Sequence, residues 1–452
     1  MPPKKYEKLS GWGRTPVAGC IAYRPEKHRD LRQIVNDHEG PLLARGLGRS
    51  YGDASLQPEG VVRIERLDHF IHFDTARGIV RAQAGVTLAD LMEASIPRGW
   101  LPPVIPGTRY VTLGGAFACN VHGKNHWSTG DFAEHVMSVR LTLASGDSIE
   151  CSPSDHHELF WATAGGMGMT GIIEEITLRL KPISSSSLMT LTSRVDSIEE
   201  MVAMFNEHRN SANYMVGWID HMAKGDSIGR GIFEAASHIS RTGGGEALSD
   251  YQPPKTKFSI PFFMPPFLLN RYSMAIYNRL RFRRYKKEER VEIANFNRFF
   301  HPLDTIGHWN RLYGRRGFFQ YQCLLPESPH VAKQIRALLT AIQRQGSFSY
   351  LAVIKYHRAG KGLLTFSKAG YSIALDFPNT RRVRTLLPQL DRWIAEQGGR
   401  VYLAKDIMLS PGLFHHMYGQ AAGDWCNLIN DIDPGHRFTS LMSKRLGWKI
   451  AP

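Results

Sequence analysis

From Pro106 to His126 the chain reads PGTRYVTLGGAFACNVHGKNH. Gly107, Thr108, Thr112, Gly114 and Gly115 lead directly into Cys119, Asn120, His122, Gly123, Lys124 and His126. Packing alone does not call for small residues, hydroxyls, two histidines and a lysine at this density, so the segment marks a site. His122 and His126 have the i, i+4 spacing of metal ligands on a helix. Gly123 between them and the lack of a third ligand nearby argue against a metal.

Two further glycine clusters flank this segment. Upstream, Ala44-Arg45-Gly46-Leu47-Gly48-Arg49-Ser50-Tyr51-Gly52-Asp53 follows the apolar Pro41-Leu42-Leu43. Closely spaced glycines let backbone N–H groups turn toward an anion, and a diphosphate fits such a nest. Downstream, Gly165-Gly166-Met167-Gly168-Met169-Thr170-Gly171 contains a formal G-x-G-x-x-G. A dinucleotide turn of that form follows a strand and opens a helix. Here a helical pattern over 155–163 comes first and an alternating strand over 172–180 second, which excludes a nicotinamide site.

Between these clusters, residues 40–180 alternate short strands and helices. Residues 61–64 and 79–83 have strand character, and Thr87 is placed to cap a helix carrying Leu88, Leu91 and Met92. Val139, Leu141 and Leu143 alternate with polar residues; Ser145-Gly146-Asp147 turns the chain, and Ile149 begins the return strand. Pro182 and the serines 184–187 mark a boundary. Beyond it, helices are expected near 197–208 and 329–344, with strands near 318–325, 349–356 and 371–377. A helix over 386–397 and a strand over 400–403 complete the reading.

A chain of 452 residues exceeds one ordinary core, which predicts two domains. No apolar run spans a bilayer and no signal peptide is recognised, so the expected location is the cytoplasm or the cytoplasmic side of a membrane. Five scattered cysteines exclude a disulfide framework or a cysteine zinc site. A net charge of +15 suits nucleic acid, anionic lipid or phosphorylated substrates. Nucleic acid is disfavoured, because there is one basic cluster and no recognised module. That cluster follows the apolar run SIPFFMPPFLL at 259–269 and includes Arg271, Arg279, Arg281, Arg283, Arg284, Lys286, Lys287 and Arg290. An apolar wedge beside such charge suits peripheral contact of 259–290 with an anionic membrane surface.

With Ala84-Gly85-Val86-Thr87-Leu88 and Leu101-Pro102-Pro103, the clusters resemble the vanillyl-alcohol-oxidase/PCMH type of FAD-linked oxidases. The resemblance is closer still to the decaprenylphosphoryl-β-D-ribose 2-oxidase family and covers nearly the whole chain. Its markers are Leu9-Ser10-Gly11-Trp12-Gly13-Arg14, Phe300-His301-Pro302-Leu303-Asp304, Trp309-Asn310-Arg311, Gln320-Tyr321-Gln322, Asp376-Phe377-Pro378 and Ala404-Lys405-Asp406. It implies an α+β fold, with a PCMH-type FAD-binding domain of two α/β subdomains over 1–183. A substrate domain over 184–399, an antiparallel sheet flanked by helices, follows, and 400–452 returns to the first domain.

The same resemblance implies site roles. Lys405, His122 and Gln322 line the reacting face, with Lys405 either a base or, if charged, an electrostatic partner of the reduced cofactor. FAD is held by Arg45, Gly46, Leu47, Gly48, Arg49, Ser50 and Tyr51; by Gly107, Thr108, Thr112, Gly114, Gly115, Cys119, Asn120, His122 and Gly123; and by Gly168, Gly171, Ile172 and Tyr402. Lys124, Trp218, Tyr313, Gln320, Gln322, Lys355, Ser372 and Ala374 are substrate positions. Relatives outside this branch tether FAD through a histidine in the region of Arg49-Ser50-Tyr51, so FAD here is expected to be non-covalent. Ala374 stands where some relatives carry a cysteine trapped by nitroaromatic inhibitors, and Ser372 where they carry an asparagine. The implied substrate is a polyprenylphosphoryl-ribose whose C2 hydroxyl becomes a ketone. A short-chain reductase partner then reduces it to the arabino epimer, and quinone or oxygen is the electron acceptor. The alternative substrate is a soluble sugar, aldonolactone or alditol.

Overall fold

Thr87 caps the first helix of the glycine-rich half. Its hydroxyl accepts from the Asp90 amide, and the Asp90 carboxylate returns a bond to the Thr87 amide, closing a capping box over Leu88–Ser95. The computed structural model describes residues 3–244, 247–253, 256–265 and 267–448. Pro266 of the apolar run thus lies outside the described residues.

The expected alternation is realised in two sheets. In the first, Lys4–Ser10 and Val17–Tyr23 pair antiparallel, and Leu43–Arg45 and Val61–Arg63 add in parallel. The second is fully antiparallel, in the order Phe70–Asp74, Ile79–Gln83, Ile172–Arg179, Val136–Thr142, Ser148–Cys151. The helix before the third glycine cluster is His157–Thr163 and the strand after it Ile172–Arg179, the reverse of a dinucleotide turn.

The third sheet has eight antiparallel strands. Their order is Arg290–Asn295, Ser187–Val195, Gly231–His238, Tyr214–Ile219, Leu351–His357, Gly370–Pro378, Phe318–Pro326, Arg400–Val401. Side chains alternate between its faces. Tyr321, Cys323, Ile354, Ile373, Leu375 and Phe377 face an apolar core shared with Ile198–His208, Val331–Arg344 and Arg381–Glu396. The other face carries Gln320, Gln322, Lys355, Ala374 and Asp376, brought together by the pairings Gln322↔Ala374, Gln320↔Asp376 and Lys355↔Ser372. The overall class is α+β. At the sheet's outer edge, among the described residues, Arg290–Asn295 pairs on one side only, and Val291 and Ile293 are exposed there.

Two expected boundaries shift. The helix expected from 386 begins at Arg381, because Thr380 caps it with a bond from the Val383 amide. The strand expected over 400–403 stops at Val401. After the Tyr402 amide bonds to Gln322 O, a tight turn over Leu403–Lys405 lifts the chain off the sheet, and Ala404 O accepts from the Tyr51 amide.

The C-terminal segment stitches the halves together. Leu42 bridges Phe438, and Trp425 Nε1 donates to Ala162 O at 2.9 Å. Arg445 donates twice to Asp53 and once to Asp406, each at 2.9 Å, and also reaches Leu409 O at 2.7 Å. Both carboxylates are buried. Replacing Arg445 with Met strands two buried charges, and a chemical-denaturation series should show a loss of about 3–5 kcal/mol.

Candidate active site

The three glycine clusters and the polar sheet face enclose one cavity of about 1110 Å³. That exceeds the usual space of one small ligand, so it can take a cofactor and a substrate together. Its walls include Arg45, Gly46, Leu47, Gly48, Arg49, Ser50, Tyr51, Gly107, Thr108, Thr112, Gly114, Gly115, Cys119, Gly168, Gly171 and Tyr402. His122, Lys124, Trp218, Gln320, Gln322, Lys355, Ala374 and Lys405 line the same space.

Five expected positions sit behind the wall. Asn120 is occupied with the Ala133 amide and Lys361 O. Gly123 makes room for Asn125, whose Oδ1 would lie 2.5 Å from an added Cβ. Ile172 is buried in its strand opposite Thr142, and its neighbour Ile173 faces the cavity instead. Tyr313 stacks on Phe318 at 4.1 Å and donates to Asp376 at 3.4 Å. Ser372 lies under Gln322, within 3.4 Å of its Nε2.

The walls fit FAD. Among the described residues, the amides of Leu47, Gly48, Arg49 and Ser50 donate to no protein acceptor, leaving a nest of N–H groups for a diphosphate. Gly48 has φ of +62°, and an added Cβ would meet the Arg45 guanidinium at 2.1 Å. Arg45 spans Ser10 O and Ser55, and burial lowers its pKa to about 10. Thr112 caps Leu113–Ala118 through the Gly115 amide. Gly107 faces open space, with no protein atom within 4 Å of an added Cβ.

On the reacting side Gln322 Nε2 donates to His122 Nε2 at 2.8 Å and to Ser372 Oγ at 3.4 Å. An amide nitrogen only donates, so His122 Nε2 accepts and its proton sits on Nδ1. Among the described residues, buried His122 Nδ1 and Gln322 Oε1 have no hydrogen-bond partner. Burial, with Lys355, His357, His126 and Lys405 adding positive charge, holds His122 well below its usual range, so the ring is neutral. Behind it His357 Nε2 meets Ser372 Oγ at 2.7 Å, and His126 is held by Asp131 at 2.9 Å. Among the described residues no group of three or more His, Cys, Asp or Glu side chains is placed to hold a metal.

Three lysines complete the wall. Burial lowers Lys355 to about 7 and Lys124 to about 8, with Lys405 and Lys124 pressing Lys355 further and Glu234 opposing the shift at Lys124. Lys405 is also lowered by burial while Asp376 raises it, and burial raises Asp376. Sequence reasoning assigns no site role to Asp376, which accepts from Gln320 at 2.5 Å, or to Asp304, which accepts from Thr108 Oγ1 and the Arg109 amide and so pins the Gly107 loop. Both stand inside blocks that carry the family resemblance, and that is the signal by which they could be found. His357, the support beneath Ser372, has no such signal.

Residues 21–152 match the FAD binding domain family. The chain is 34% identical to a decaprenylphosphoryl-beta-D-ribose oxidase of Mycolicibacterium smegmatis, over 98% of each chain. It is 29% identical to an uncharacterised protein of Streptomyces coelicolor over 80% of this chain and 100% of that one. To an L-gulonolactone oxidase of Bos taurus it is 22% identical, over 95% and 96%.

The cradle yields a clean test. Gly107→Ala adds a methyl that touches no protein atom. The variant should fold normally yet purify with a clearly lower flavin-to-protein absorbance ratio. Full flavin loading would remove Gly107 from the cofactor wall. With FAD accommodated by the nest and redox-side groups facing it across one cavity, the chain belongs to the decaprenylphosphoryl-β-D-ribose oxidase family of FAD-dependent oxidoreductases.

Proposed function

We propose that this enzyme oxidises the C2 hydroxyl of a polyprenylphosphoryl-ribose to the 2-keto sugar, the first half of an epimerisation to the arabino sugar. A short-chain dehydrogenase/reductase partner performs the second half, and quinone or oxygen takes the electrons. The observation that carries this reading is the meeting of Lys124, Lys355 and Lys405 with His122 and Gln322 in one cavity, which the basic and apolar helix Arg271–Arg284 also lines through Tyr277 and Arg281.

FAD, when bound, supplies the two-electron acceptor. Lys124 and Lys355, charged when paired with an anion, hold the substrate phosphate. Gln322 and His122, which line the cavity, orient the sugar hydroxyls. Lys405 takes the C2 hydroxyl proton, for which its lowered pKa suits it. The cofactor is held without a covalent link, since the loop from Arg45 to Tyr51 carries neither His nor Cys. Burial pushes the nearby Cys119 thiol up to about 11, and Ala374 offers no thiol to an electrophilic inhibitor.

Among the described residues no helix is long and apolar enough to cross a membrane. Peripheral contact is proposed through 259–290. There Phe262, Phe267, Leu268, Tyr272, Ile276 and Leu280 are exposed beside the arginines of Arg271–Arg284.

Under anaerobic conditions polyprenylphosphoryl-ribose should bleach the flavin absorbance. Bleaching by an aldonolactone instead would favour a soluble substrate. Lys405→Ala should lose roughly 10²–10⁴-fold in kcat while keeping its flavin. The active form of Lys405 is the neutral amine, so kcat should rise with pH through its lowered pKa. Asp376→Asn removes the carboxylate that raises Lys405, so this rising limb should move to lower pH. KM should increase as Lys355 and Lys124 lose their protons, above about 7 and about 8 respectively.

A further inference from the structure

The helix Arg271–Arg284 separates two concavities. On one side Tyr277 and Arg281 line the catalytic cavity, with the Arg281 guanidinium 4.5 Å above the ring of Trp218. On the other, Arg279 and Arg283 line a second pocket of about 480 Å³, together with Arg194, Lys224 and Arg230. Asn278 and Phe282 are the buried anchors between the two sides. Along the crest Tyr272, Ile276 and Leu280 recur every fourth residue and are 63–66% exposed.

The second pocket has a built floor. Buried Asp220 holds Arg230 through two bonds of 2.7 and 3.0 Å and accepts from Asn278 at 2.9 Å. Arg194 and Arg230 lie over the Phe282 ring at 5.0 and 4.6 Å. Arg230 is neutralised by Asp220, and Arg194 is near Asp196 at 3.5 Å. Among the described residues, Lys224, Arg279 and Arg283 have no carboxylate within 4.0 Å. A rigid concave site with surplus guanidinium charge suits a phosphate, which guanidinium groups bind bidentately. The apolar crest beside it suits acyl chains.

We propose that this pocket binds the phosphodiester headgroup of an anionic bilayer lipid, and so docks the enzyme with its catalytic cavity opening at the membrane surface. The proposal rests on the peripheral-membrane reading above and adds a defined site to it. One helix diameter, about 10 Å, separates headgroup from cavity mouth. A lipid-linked sugar could then reach the lysines while its tail stays in the bilayer.

The test is co-sedimentation of flavin-loaded enzyme with vesicles of phosphatidylcholine, with and without phosphatidylglycerol. Flavin content and thermal midpoint serve as checks that each variant is folded. The double variant Arg279→Gln/Arg283→Gln should bind phosphatidylglycerol vesicles more than about ten-fold more weakly. Arg284→Gln/Lys286→Gln removes exposed neighbours that do not line the pocket, and should cost less than about three-fold. Equal losses in the two pairs would mean diffuse attraction and overturn the pocket, leaving the membrane reading intact. If wild-type enzyme ignores anionic vesicles altogether, the membrane reading falls and the proposal with it. Ile276→Ser/Leu280→Ser should also weaken binding. Unchanged vesicle binding in that variant would remove the apolar crest from the contact and overturn the lipid assignment, whereas inorganic phosphate should displace the enzyme from vesicles more than chloride does at equal ionic strength, as a phosphate-binding pocket requires.

Discussion

Three half-buried lysine side chains converge on a single cavity, and the surrounding architecture serves to keep them there. Taking a charge out of water costs several kcal/mol even after relaxation. Asp376 opposes this at Lys405 and Glu234 at Lys124, while Lys355 is pressed only by burial and other cations. The cavity is therefore a well for anions, and a diphosphate or phosphodiester entering it relieves like-charge repulsion as well as filling space. Holding that arrangement falls to the opposite face of the eight-stranded sheet, whose apolar side chains pack against three long helices.

The two halves are joined at the site itself. Asp304 pins the Gly107 loop, the Asn310 side chain donates to Trp12 O, and Ala404 O accepts from the Tyr51 amide. Each contact links a glycine-rich segment to a segment more than 190 residues away in sequence. Cofactor wall and substrate wall are thus fixed relative to each other by hydrogen bonds whose geometry depends on both.

Part of this architecture is legible in local chemistry alone. Thr87 announces its helix by a hydroxyl and a carboxylate three residues apart, and the reversed order of helix and strand around Gly166 to Gly171 rules out a nicotinamide turn. Lys405, His122 and Gln322 are recognisable through family blocks, since nothing local distinguishes Lys405 from a surface lysine. What the sequence hides depends on register between distant strands. Ser372 shares a face with Ala374, yet it is covered because Gln322 crosses over it to reach His122. The bend at Leu403–Lys405 has no local signal because its cause, the Tyr51 amide, lies some 350 residues upstream. The helix at Arg381 begins earlier than its apolar pattern suggests because Thr380, a polar residue, sets its start.

The outer strand Arg290–Asn295 has a further implication for how the protein behaves as a material. Among the described residues, one row of its backbone donors and acceptors has no strand partner, and Val291 and Ile293 are exposed beside it. An open edge of this kind is a template for pairing with another chain. The ion pairs of Glu292 with Arg290 and Arg298 put charge along that margin, which discourages a second copy from adding in register. Colloidal stability of the isolated enzyme is therefore tied to salt: conditions that screen these pairs weaken the guard on the edge, and concentrated stocks keep best at low ionic strength.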